Sequence, residues 1–180
     1  MVCIVYLLFG MAQVTVMVHI IPAATGMNFT PIAAATILSI IGGATLAGRI
    51  IMGLFSDRMN VRTAALVCLA LLTLSFIWLP FAGRIGELDA FAVLFGFGYG
   101  GLSCLQTLIA ADLYGLAALG VITAIFSFSF DVGGSIGPVA AGRIYDITQS
   151  YRWAFIICLV IIAAAFIIFT LVNPPRKVKK

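Results

Sequence analysis

A few side chains able to do chemistry sit inside long apolar runs, where a bilayer makes each of them expensive. Asp131 lies near the middle of the run Ala117 to Ile144, where a lipid-facing carboxylate would cost roughly 2.5 to 3.5 kcal/mol. It must therefore face protein or water, and there it serves either as a structural hydrogen-bonding group or as a proton site. Arg49 stands five residues before the end of the run Pro31 to Leu54. It either snorkels to the headgroups and braces the following loop, or binds a ligand. Gln13 and Gln106 are placed to orient a substrate or to tie helices together. His19, the single histidine, falls near one end of the first run, which fits an interfacial or packing role or a proton relay.

These residues do not assemble a known catalytic set. A membrane serine protease needs a serine brought to a histidine, and no Gly-x-Ser-x-Gly occurs; a metalloprotease needs His-Glu-x-x-His, also absent. A water pore of the aquaporin kind would show paired Asn-Pro-Ala turns, whereas the one Asn-Pro is Asn173-Pro174 at the tail. Cys3, Cys68, Cys104 and Cys158 all lie in apolar runs without CxxC spacing, so neither a disulfide framework nor a metal site is expected. No cofactor is expected, and the chain is not expected to be an enzyme.

The elements that must position these groups follow from composition. Of 180 residues 63% are hydrophobic and 9% charged, which leaves too little polar surface for a water-soluble domain. A bilayer core of roughly 30 Å needs about 20 apolar residues in helical form. Cutting the chain where polar residues, Pro or Gly cluster gives six spans: 2–21, 31–54, 63–79, 90–113, 117–144 and 153–172. The runs are apolar on every face and too long for barrel strands, so the fold class is all-α integral membrane, one bundle over 1–173 with a basic tail at 174–180. Thr30-Pro31 reads as an N-cap followed by an N1 proline.

An even number of spans puts both termini on one side. That side carries Arg58, Arg62 and the tail residues Arg176, Lys177, Lys179 and Lys180, against Arg84 and Arg152 opposite, so both termini are expected to be cytoplasmic. The formal charge of +4 comes largely from that tail, an anchor to anionic headgroups rather than a nucleic-acid site. Glycines at small-xxx-small spacing, Gly96 with Gly100 and Gly133 with Gly137, point to close helix packing; with Pro138 and Gly142 they also allow bending. The tetrad Ala47-Gly48-Arg49-Ile50 recurs as Ala141-Gly142-Arg143-Ile144, an echo of the kind that inverted repeats leave.

The loop after the second span reads Gly53-Leu54-Phe55-Ser56-Asp57-Arg58-Met59-Asn60-Val61-Arg62. A helix end followed by a carboxylate and arginines is an electrostatic latch. This stretch resembles the loop signature of the major facilitator superfamily, matched at Gly53, Asp57, Arg58 and Arg62, with Asn60 where a second glycine is usual and Val61 where a basic residue is usual. The stretch from Gly133 to Asp146, followed by Tyr151-Arg152-Trp153, resembles the last two helices of the branch holding the monocarboxylate transporters and oxalate/formate antiporters.

The resemblance implies helices seven to twelve, one half of a twelve-helix transporter. It implies that Arg49 meets a substrate carboxylate, since it occupies the matching position on the eighth helix, and that Arg49 is the natural partner of Asp131. Thr45 stands where some monocarboxylate members carry an acid one turn earlier, and the fifth span holds no lysine of the oxalate type. The expected function is secondary transport of a small organic anion by alternating access, with Arg49 and Gln106 in the binding site and Asp131 as a proton-coupling candidate. The expected setting is the plasma membrane, and the expected partners are lipid, the anion and either an N-terminal six-helix half or a second copy. The alternative is a truncated or auxiliary six-helix module without transport of its own.

Overall fold

A computed structural model describes residues 1–56, 58 and 60–172. It holds six helices long and apolar enough to cross a membrane: α1 (Val2–Gly26), α2 (Pro31–Ser56), α3 (Val61–Trp78), α4 (Ile85–Tyr114), α5 (Leu119–Thr148) and α6 (Tyr151–Thr170), with one 3-10 turn, Leu79–Phe81, after α3. The chain is an all-α, multi-pass membrane protein. Asp57 of the loop motif and the tail 174–180 lie outside the described residues.

Helices α1, α2 and α4 outrun their apolar spans, α3, α5 and α6 are shifted by two or more residues at one end or both, and side chains satisfy terminal backbone groups that hydropathy cannot register. α4 begins ahead of Ala90, since the Glu87 carboxylate accepts hydrogen bonds from the Gly83 and Arg84 N–H groups at 2.8 and 3.1 Å. Residues polar enough to read as loop thus form a capped first turn. α1 continues through Pro22 to Gly26, where the Thr25 hydroxyl reaches back to the carbonyls of Ile21 and Pro22. Thr30 caps α2 by accepting the Ala33 N–H at 3.2 Å, and Ser150 caps α6 by accepting that of Arg152. α5 runs to Thr148 and stops where Gln149 adopts a left-handed conformation, φ 55°.

Packing is dominated by two crossings, α2 on α4 and α1 on α5, flanked by α3 against α4 and α6 against α1. Lipid gives helices no hydrophobic reason to associate, so contact depends on backbones approaching closely. At the first crossing Gly96 and Gly100 of α4 lie on the backbone of Ile41 and Thr45, and Gly48 of α2 lies on Phe97 in return. At the second, Gly133 and Gly137 of α5 lie on Leu7 and Met11, and Gly10 of α1 answers against Phe130. A Cβ on any of these would strike a main-chain carbonyl. Gly142, by contrast, has only an ordinary 3.9 Å contact, with His19.

Between the crossings runs an aromatic ladder: Phe91, Phe95 and Tyr99 stack at successive turns of α4, Phe76 of α3 meets the first two edge-on, and Phe9 of α1 lies 6.0 Å from Tyr99. Burial is uneven. In their most apolar stretches α1 and α4 are 50% and 56% buried, but α2 and α5 only 22% and 17%. Yet α6 is more apolar than either of the two most exposed helices. The open faces of α2 and α5 bear Arg49, Ser39 and Gly42, and Ser127, Asp131 and Ser135.

Candidate functional site

Arg49 is exposed and lines an open groove of about 230 Å³ between α1, α2 and α4, with Met17, Gly42, Thr45, Leu46 and Tyr99 among its walls. The α2/α4 crossing builds it. Gly96 and Gly100 draw α4 onto α2, and Tyr99, between them in sequence, is carried to the groove edge beside Thr45 and Arg49. The Thr45 hydroxyl donates to the Ile41 carbonyl at 2.7 Å, which leaves its oxygen lone pairs for another donor. Among the described residues no carboxylate lines the groove, so the Arg49 guanidinium is available to an anion in a largely apolar setting. Sequence reasoning passed over Tyr99 and Met17. The signal for Tyr99 was its place inside Gly96-Phe97-Gly98-Tyr99-Gly100, a hydroxyl flanked by residues that must touch another helix.

Asp131 is also exposed, on the free face of α5, and its backbone carbonyl accepts the Ser135 hydroxyl at 2.8 Å. It does not line the Arg49 groove, and α2 and α5 are not packed on one another. The structure thus leaves Arg49 and Asp131 on separate helix faces and does not join them. Gln106 is engaged within the bundle: its Nε2 donates to Ser127 Oγ at 2.8 Å and to the Thr123 carbonyl at 3.3 Å, tying α4 to α5. It too lies outside the groove.

Of the loop motif, Gly53 lies 3.5 Å, measured from a notional Cβ, from Cys104 Sγ. Arg58 is exposed, its N–H bonded to the Phe55 carbonyl. Arg62 reaches from the start of α3 to the far end of the chain and donates to the Thr170 carbonyl in the last turn of α6. A guanidinium at a helix C-terminus caps an unpaired carbonyl and opposes the helix dipole.

His19 Nε2 lies 3.0 Å from the Pro138 carbonyl of α5. Its ring packs on Tyr151 at 5.2 Å, and Tyr151 stacks on Tyr145 at 4.2 Å. The histidine therefore joins α1 to the proline-bearing stretch of α5 and to the start of α6.

The family model described as Major Facilitator Superfamily matches residues 2–180. The chain belongs to that superfamily. Within it the chain sits in the monocarboxylate branch, whose named members are transporters rather than enzymes. It is 29% identical to monocarboxylate transporter 7 of Homo sapiens over 160 residues, 87% of this chain and 31% of the relative. To monocarboxylate transporter 14 of Homo sapiens it is 32% identical over 138 residues, covering 76% of this chain and 27% of the relative. The figures for monocarboxylate transporter 12 of Rattus norvegicus are 28% over 145 residues, 78% and 30%. The chain spans less than a third of the length of these relatives.

Proposed function

We propose that this chain forms one wall of a secondary transporter for a small organic monoanion, with the Arg49 groove as the binding surface. The observation that carries the reading is a guanidinium exposed in a mostly apolar groove without a carboxylate among its lining residues. A carboxylate group can take two parallel hydrogen bonds from it, while Thr45, Tyr99 and Met17 meet the rest of the molecule. The similarity to proteins named monocarboxylate transporters supports the same substrate class.

The wall is open on one side. Lipid exposure ought to fall on the most apolar helices, yet α2 and α5, with Arg49 and Asp131 on their free faces, are the least covered. That inversion fits a bundle equivalent to helices seven to twelve, with α2 and α5 turned toward a second six-helix half or a second copy. Alternating access would then be rocking of the two bundles about the site. Asp131, on the same open side, is the candidate for proton coupling. The excess of Arg and Lys at the α2–α3 loop and tail supports a reading with both termini in the cytoplasm, and the setting proposed is the plasma membrane.

Uptake of lactate or formate into proteoliposomes, with and without a pH gradient, tests the proposal, using the chain alone and the chain co-reconstituted with a separately expressed N-terminal half from a relative. Uptake that is lost in Arg49→Ala and kept in part in Arg49→Lys supports charge recognition at the groove. Uptake unchanged in both variants removes Arg49 from the site. Absence of uptake by the chain alone, with uptake in the pair, assigns it the role of an auxiliary half.

A further inference from the structure

At the end of the bundle holding the 3-10 turn and the α5–α6 turn lies a second cavity, about 280 Å³, bounded by α1, the 3-10 turn, α5 and α6. It shares no lining residue with the Arg49 groove. Its walls are of two kinds. Pro22, Met27 and Pro80 make an apolar side, and Tyr145, Tyr151 and Arg152 a polar one. We propose that this cavity is a binding site for an amphipathic monoanion, a carboxylate or phosphate group carrying an apolar body, separate from the transport groove.

Arg152 supplies the positive charge of this cavity. Its guanidinium carbon lies 5.4 Å from the Phe81 ring centroid, held against an aromatic face, and among the described residues it pairs with no carboxylate. Glu87, at the start of α4, is already committed to the Gly83 and Arg84 N–H groups, and Asp146, next to the lining residue Tyr145, makes no ion pair with Arg152 among the described residues. A cation stacked on an aromatic ring keeps donors free at its edge, where an anion can take two of them. The Tyr145–Tyr151 stack, 4.2 Å between centroids and 16° between planes, is a preformed wall with little freedom to lose on binding. Gln149 holds the turn closed by donating to the Asp146 carbonyl at 3.1 Å. Mixed apolar and polar lining with one cation is the composition expected of a small-ligand pocket.

The cavity also has a route into the bundle. Tyr151 packs on His19, and His19 Nε2 touches the Pro138 carbonyl. An occupant pressed on the tyrosine pair is thus one ring away from Pro138 of α5.

The two tryptophans of the chain, Trp78 and Trp153, adjoin lining residues Leu79 and Arg152 in sequence, so intrinsic fluorescence reports on this end of the bundle alone. The full chain in phosphatidylcholine nanodiscs is titrated with hexanoate, which does not absorb at the tryptophan band. The expected result is a saturable change, with the midpoint raised at least about tenfold in Arg152→Gln, abolished in Gly26→Leu and unchanged in Arg49→Gln. Gly26 borders the cavity and has open space at its Cβ position, so leucine there fills the site with Arg152 intact and keeps the test alive should Arg152→Gln fail to fold. Phosphatidylglycerol in the disc that competes with hexanoate in the wild type identifies a lipid phosphate as the resident anion; absence of competition identifies a soluble one. No saturable change in either disc overturns the proposal. So does a change that survives both Arg152→Gln and Gly26→Leu, or one lost in Arg49→Gln.

Discussion

Replacing Gly100 by alanine places a methyl group against the Thr45 carbonyl, and Gly133→Ala does the same against Leu7. At the related Gly96 the notional Cβ stands 2.5 Å from the Ile41 oxygen, where ordinary contact begins at 3.4 Å. The obstacle is main chain, which cannot rotate away as a side chain would, so the two helices have to separate by about 1 Å. A gap of that size forfeits roughly a quarter to a half of the dispersion attraction for each atom pair it opens. Overpacking of this kind costs about 1–3 kcal/mol. Gly43, on the free face of α2, is the control: nothing lies within 4 Å of its Cβ position, and alanine in a helix interior is favoured over glycine by roughly 0.5–1 kcal/mol. The two substitutions thus have opposite signs from the same change of one methyl. Thermal unfolding in detergent, followed by a thiol-reactive dye, reads the difference through Cys68 and Cys158, which are 0% and 4% exposed. Gly100→Ala and Gly133→Ala are expected to expose these thiols at lower temperature than the wild type, and Gly43→Ala at the same or higher temperature. Equal or greater stability of Gly100→Ala and Gly133→Ala would refute backbone contact as the basis of the crossings.

Arg62→Ala removes the cap on the last turn of α6 and is expected to cost about 0.3–1 kcal/mol, less at high salt, with Arg62→Lys recovering part; the same dye assay at two ionic strengths checks it. Gln106→Ala and Ser127→Ala, which break one hydrogen bond between α4 and α5, are expected to show a coupling of about 0.6 kcal/mol in a double-mutant cycle, the usual size for a bond between membrane helices. His19→Ala takes one partner from the Pro138 carbonyl and is expected to cost about 0.5–1.5 kcal/mol in the dye assay, with faster amide exchange of α5 after Pro138 in mass spectrometry.

The existence and membrane character of the helices were legible because apolar runs of sufficient length have one stable form in lipid. Glycine spacing carried the next layer: Gly96 with Gly100 and Gly133 with Gly137 do face other backbones. Their partners were not legible. Hydropathy reports that a segment leaves water, not which neighbour it chooses, so nothing in the sequence paired Gly48 with Phe97 or Gly10 with Phe130. Helix ends were misjudged for a related reason, since Glu87 looks like loop until its carboxylate is seen capping the turn. At the site, Arg49 was visible as a costly charge. The surroundings that give it meaning come from three helices, and Tyr99 enters only once α4 has been drawn onto α2. The separation of Arg49 from Asp131 likewise depends on which helices pack together.

The α1/α5 crossing has a consequence for biogenesis. Within this bundle α1 is synthesised, with α2, α3 and α4 coming between, ahead of the helices it packs on most extensively, α5 and α6. Until they arrive, Gln13 and Thr15, which are 4% and 1% exposed in the finished bundle, must wait in lipid or against the insertion machinery. A nascent chain stalled before Leu119 would therefore hold α2 and α4 already joined and α1 without the partner of its main crossing, the state in which quality-control proteases would find it most vulnerable.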